Sequence, residues 1–195
     1  MRRLVDAGRL HAFMRALGRR TDVETTCYLT GGATAVLLGW RDSTIDVDVL
    51  FAPENDQLLR AIPELKKELE LNVELAFPGD FVPMPDGWEE RSPFVEQVGS
   101  VGFRNVDFYA QALAKLERGH DRDLADVDAM ISRDLVDRAR LWALFTEIEP
   151  DLYRFPAIDP NAFRVAVENA ASGAPAHPGT LGAAHDANNQ GEART

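Results

Sequence analysis

Asp46 and Asp48 stand two residues apart in the run STIDVDVLF, where apolar and acidic residues alternate as they do on a half-buried strand. Ile45, Val47, Val49 and Phe51 then share one face and the two carboxylates the other. Carboxylates about 6–7 Å apart along a strand repel each other and lose hydration together unless a cation lies between them. Mg²⁺, or Mn²⁺ in its place, suits such a pair, because it takes one or two carboxylates and completes its shell with substrate phosphate oxygens. Just upstream, CYLT reads as a short strand that runs into Gly31-Gly32 and the helix GGATAVLLG, which ends at Gly39. A helix start without side chains offers unpaired backbone N–H groups to a phosphate. The spacing matches neither GxGxxG nor GxxxxGK[ST]. Taken singly, the glycine pair is a tight turn and the acidic pair a solvated strand face. Their close succession favours a metal–nucleotide site.

Gly31, Gly32, Ala35, Gly39, Arg41, Thr44, Asp46 and Asp48 together resemble the nucleotidyltransferase superfamily, in the branch with a GG helix start, a closing glycine, then Arg, Thr and a DxD strand. AbiEii-type toxins of toxin–antitoxin systems and the antibiotic nucleotidyltransferases both share this pattern. The resemblance covers about 24 residues, with several residue types at fixed offsets. It implies that the glycine turn meets nucleotide phosphates and that Asp46 and Asp48 bind catalytic metal. The nucleotide-binding set in this stretch is Thr30, Gly31, Gly32, Arg41 and Thr44.

A second block, LAKLERGHDRDLADV, resembles the K-x-x-A/R…RD-x-x-D block of the AbiEii-like branch. Lys115 and Arg118 lie at i and i+3 on one helix face, so both can reach one polyphosphate. Arg122, Asp123 and Asp126 follow on the next helix. By the resemblance, Lys115 contacts nucleotide phosphate, with Arg118 and Arg122 beside it. Asp123 or Asp126 orients the basic groups or takes part in acid–base work. A third carboxylate on a neighbouring strand is common in the superfamily. Glu74 fits it, with Leu71, Val73 and Leu75 on the opposite face of its strand; Asp80 is the alternative, and Asp107 reads better as a helix cap.

The elements that must position these groups follow from periodicity. Leu10, Phe13, Met14 and Leu17 mark an amphipathic first helix with an arginine-rich outer face. NDQLLRAIPELKKELEL is helical, with a kink or break expected at Pro63. LNVELAF is a strand, Pro78 to Pro93 a loop, and FVEQV with VGFRNV a hairpin around Gly99-Ser100. Helices follow from Asp107 to Gly119, after a cap at Asp121, over LVDRARLWALFTEI and over NAFRVAVENAA. Beyond Ser172 nothing periodic remains, and a disordered tail is expected. The fold class expected is α/β (α+β): a small mixed sheet over 21–108, C-terminal helices over 109–156, then a short helix and tail over 157–195.

Composition narrows the partners. A net charge of −11 argues against a broad phosphate-tracking surface. Within the first 20 residues, however, Arg2, Arg3, Arg9, Arg15, Arg19 and Arg20 face only Asp6, so a local polyanion contact is available. No apolar span long enough for a membrane occurs, and the charged N-terminus is unlike a signal peptide, so a cytoplasmic protein is expected. Cys27 stands alone as a small buried hydrophobe, the histidines have no metal-ligand spacing, and Trp40 and Trp88 suit packing more than base stacking.

The resemblance implies transfer of a nucleoside monophosphate from an NTP to a hydroxyl, with RNA such as tRNA or a protein as acceptor, and a place in a toxin–antitoxin system. Two other readings use the same residues: a non-catalytic interaction protein that keeps the fold, and an antibiotic nucleotidyltransferase.

Overall fold

The computed structural model describes residues 4–173. Helix α1 (Ala7–Leu17) begins at Asp6, whose side chain accepts the Arg9 N–H, and buries Leu10, Phe13, Met14 and Leu17 as its spacing requires. Strand β1 (Thr25–Thr30) leads through Gly31 into α2 (Gly32–Leu37), and β2 (Asp46–Ala52) returns antiparallel to β1. After α3 (Asp56–Glu68), β3 (Asn72–Leu75) lies parallel to β2. A 3-10 turn (Pro78–Asp80) and the short α4 (Trp88–Arg91) precede the hairpin β4 (Phe94–Val98) and β5 (Val101–Asn105). β5 joins β1 in parallel, giving one mixed sheet in the order β3-β2-β1-β5-β4. Helices α5 (Phe108–Arg118), α6 (Asp121–Ser132), α7 (Arg138–Ile148) and α8 (Pro160–Ser172) form the C-terminal part, with a 3-10 stretch (Glu149–Arg154) before the last.

One core joins α1 and α3 to the sheet through Phe13, Met14, Leu58, Leu65, Val47, Val49 and Phe103. A second joins the C-terminal helices through Leu113, Met130, Leu141, Phe145, Phe163 and Val167, so α8 packs with α5 and α7. A smaller group of Tyr28, Val106 and Ala110 lies under Phe77 and Trp88. Each fully buried Leu, Phe or Met contributes about 1.5–3 kcal/mol.

Several expectations change. α3 runs as one helix through Pro63, which is exposed; the buried Leu58, Ala61, Ile62 and Leu65 on the other face hold the helix across the missing N–H. The segment Pro78 to Pro93 is not a plain loop, since it contains the 3-10 turn and α4. Helix α6 is capped by His120 without a side-chain bond, and Asp121 is its first residue. Ile45 and Leu75 do not join the buried faces expected of them: they are 48% and 59% exposed, Ile45 just before β2 and Leu75 at the end of β3. The expected disordered tail lies outside the described residues.

Candidate functional site

The GG turn is explained by what crowds it. Gly31 has φ +62, and a Cβ there would come within 2.8 Å of Asp48 Oδ2. At Gly32 a Cβ would lie 2.1 Å from Thr44 Oγ1. The motif's Gly, Thr and Asp positions are thus one packed unit, joining the β1–α2 turn to the entry of β2. Thr44 is buried beneath the turn and donates to the Asp46 carbonyl at 3.1 Å. The Gly31 N–H is not unpaired, as the sequence suggested. It donates to Gln111 Oε1 at 2.9 Å, while Gln111 Nε2 donates to Val106 O at 2.8 Å and Thr34 Oγ1 at 3.2 Å. This buried carboxamide fixes the turn to α5.

Register brings the third carboxylate beside the first two. Asp46 pairs with Asn72 and Asp48 with Glu74 across the parallel β2–β3 ladder. Asn72, only 2% exposed, donates from Nδ2 to Asp46 Oδ1 and to Glu74 Oε1, both at 2.7 Å. Burial first, then the charges of Glu74 and Asp46, push the Asp48 carboxyl up from 3.8 to about 6, against the opposing pull of Arg118 and Lys115. A crowded acid that resists ionising is what a bound divalent cation would relieve. Among the described residues, no group of three or more His, Cys, Asp or Glu is set to cage a metal. Two strand carboxylates are the donor type taken by an ion that draws its remaining oxygens from phosphate. Asp80 closes the 3-10 turn, its Oδ2 accepting the Phe77 N–H at 2.9 Å, and it is not on the wall of the cleft that Asp48 lines. Asp107 caps α5, accepting from Tyr109 N, and also pairs with Arg91 at 2.8 Å.

The basic groups are held by two buried aspartates. Lys115 Nζ donates to Asp123 Oδ1 at 3.1 Å and Asp126 Oδ2 at 2.6 Å, and Arg118 Nη2 donates to Asp123 Oδ1 at 2.9 Å. Asp126 also accepts Trp40 Nε1 at 3.0 Å and Arg41 Nη2 at 2.6 Å. Trp40 thus has a packing and hydrogen-bonding place rather than an open face. Arg122 is exposed, and its carbonyl accepts from Arg41.

Thr30, Gly31, Asp48, Lys115 and Arg118, far apart in sequence, line one cleft, together with Gln111, Ala114 and the segment Ala76, Phe77, Pro78 and Phe81. Asp46 and Glu74 stand beside it on β2 and β3, whereas Gly32, Thr44, Arg41 and Arg122 are not on its wall. Gln111, Asn72, Phe77 and Phe81 escaped the sequence reading. Gln111 lies four residues before Lys115 on α5, one helical turn away, and Asn72 two before Glu74 on β3, so the same-face spacing that gathered the charged residues would have reached both.

A mixed sheet carrying a GG turn and a DxD strand, flanked by helices that bring basic side chains to the same cleft, has the character of a nucleotidyltransferase-like fold. Residues 8–168 match the family described as "Nucleotidyltransferase of unknown function (DUF6036)", and the chain belongs to that family. No curated protein and no solved structure gives a significant match. Among the described residues, no helix is long and apolar enough to cross a membrane.

Proposed function

We propose that the cleft binds an NTP with Mg²⁺ or Mn²⁺ at Asp46 and Asp48 and transfers its nucleoside monophosphate to a hydroxyl. The observation that supports this most is the convergence of Asp48, the glycine turn, Lys115 and Arg118 on one cleft. The metal, when bound, supplies positive charge at the phosphate under attack. Lys115 and Arg118 bind the β- and γ-phosphate oxygens, and Asp123 and Asp126 hold both cations in place. Glu74 takes the proton of the acceptor hydroxyl as its oxygen bonds to the α-phosphorus. The α–β bridging P–O bond breaks and pyrophosphate leaves. Incubation with each labelled NTP, Mg²⁺ or Mn²⁺, and either total RNA or protein extract tests the reading. Label transferred to neither class of acceptor would overturn it.

Lys115→Ala is expected to weaken NTP by roughly ten- to a hundredfold and NMP little, the usual effect of losing a charge-assisted hydrogen bond. Equal affinities for wild type and variant in a calorimetric titration would remove Lys115 from the phosphate site.

The resemblance to AbiEii-type toxins favours an RNA acceptor, such as a tRNA end, and a toxin–antitoxin role. The structure narrows the arginines available to grip it. Arg9 Nη2 donates to Leu69 O at 2.6 Å, and Arg20 pairs with Glu64 and Glu68 at 2.8 and 2.7 Å, so both tie α1 and its following turn to α3. Arg15 and Arg19 are exposed. Reversing both to Glu is expected to cut RNA modification steeply while sparing NTP binding, and added salt should do the same. Modification indifferent to salt and to these reversals would point to a protein acceptor.

A further inference from the structure

One wall of the cleft has no place in the phosphate chemistry. Ala76, Phe77, Pro78 and Phe81 form an apolar border to a site otherwise lined by Thr30, Gly31, Asp48, Gln111, Lys115 and Arg118. Phe81 is 44% exposed, on a segment that is otherwise firmly built. Asp80 and Phe81 donate their N–H groups to Phe77 O and Pro78 O, both at 3.0 Å. The Phe77 ring lies 4.9 Å from the Trp88 ring and so close to Gly79 that a Cβ there would come within 2.6 Å of Cε1. Val82, fully buried, anchors the end of the turn. A large aromatic left open on a rigid turn, at the edge of an anion site, is arranged to receive a flat apolar face.

We propose that Phe81, backed by Pro78 and Phe77, is the platform for the nucleobase of the bound nucleotide, and that the base is selected by stacking rather than by hydrogen bonds. The proposal rests on the nucleotide reading of the cleft above. Its occupant follows from continuity: a triphosphate held by Lys115 and Arg118 projects the rest of its nucleotide along the same cleft. Base selection by stacking follows from the polar groups already committed. Both ends of the Gln111 carboxamide are used on Gly31, Thr34 and Val106, and Asp80, whose Oδ2 accepts from Phe77, does not line the cleft. Lys115 and Arg118, held by Asp123 and Asp126, are taken by the phosphates. Thr30 is the hydroxyl on the wall, and a hydroxyl both donates and accepts, so it does not separate adenine from guanine. Purines, with the larger face, are favoured over pyrimidines.

The test compares ATP, GTP, CTP and UTP with inorganic tripolyphosphate, each with Mg²⁺, on wild type, Phe81→Ala and Phe81→Trp. Wild type is expected to bind ATP and GTP within about threefold of each other and both pyrimidines more weakly. Phe81→Ala should weaken ATP and GTP by roughly ten- to a hundredfold, the usual loss for one stacked base, with tripolyphosphate unchanged. Phe81→Trp should restore them. Unchanged ATP binding by Phe81→Ala, or equal loss of ATP and tripolyphosphate, would overturn the platform and leave the phosphate site standing. So would preference for a single base by more than a hundredfold. Wild-type protein that binds neither ATP nor tripolyphosphate would remove the nucleotide reading and the platform with it.

Discussion

Asp126→Ala is expected to cost about 3–5 kcal/mol of stability, since removing one member of a buried ionic group leaves its partners charged and unpaired. Asp126 is 1% exposed and accepts from Trp40, Arg41 and Lys115 at 3.0, 2.6 and 2.6 Å. Lys115 keeps Asp123 as a partner, whereas Arg41 keeps only the Arg122 carbonyl at 3.3 Å. For a chain of this length, ~3–5 kcal/mol corresponds to a melting temperature lower by roughly 6–20 °C. Asp126→Asn keeps an acceptor for Trp40 and should lose less. Asp126→Leu combined with Lys115→Met should regain part of the loss, because an apolar pair carries no unpaired charge. Urea unfolding of the four proteins measures this order. A loss below about 1 kcal/mol in Asp126→Ala would mean that water already satisfies these groups. The same contacts explain why the RD-x-x-D block and the GG/DxD block occur together: one carboxylate on α6 holds the segment after α2 and the lysine on α5.

What was legible in the sequence is what lies within one element or one turn. Asp46 and Asp48 announce themselves by the two-residue period of β2, and the buried faces of α1 and α3 by their helical period. Asn72 and Gln111 share faces with Glu74 and Lys115, but that spacing alone does not say what a single amide bonds to. Their meaning comes from partners 26 and 80 residues away, set by the β2–β3 register and by α5 packing on the β1–α2 turn. The glycine pair reads in the sequence as a special turn with free N–H groups, and nothing local says that Gln111 takes the one at Gly31. Asp80 reads in the sequence as a spare carboxylate for the same reason. Its partner is the Phe77 N–H three residues back, within a 3-10 turn whose Pro, Gly and Asp read as loop.

Asp48→Asn is expected to stabilise the nucleotide-free protein at neutral pH while weakening Mg²⁺-dependent nucleotide binding. The Asp48 carboxyl is raised from 3.8 to about 6 by burial and by Glu74 and Asp46, so its ionised form is costly in the folded state. Between about pH 4 and 6 the folded chain still holds a proton that the unfolded chain has lost. Stability therefore falls as pH rises through that window, and the cost is fully present above it. The rise corresponds to at most about 3 kcal/mol, and partial solvent access reduces it to ~1–3 kcal/mol. Asparagine cannot ionise, so the variant's advantage should be absent near pH 4, grow to pH 6 and then level, adding roughly 2–12 °C to the melting temperature. The other carboxylates titrate in both proteins and largely cancel in the difference. Mg²⁺-ATP should reverse the order, because a ligand that binds only the native state stabilises by mass action and the variant has lost part of the cation's seat. Melting curves at pH 4, 5, 6 and 7.5, with and without Mg²⁺-ATP, decide it. Parallel pH profiles for the two proteins would show that Asp48 ionises freely, and an equal gain from Mg²⁺-ATP in both would show that it holds no metal.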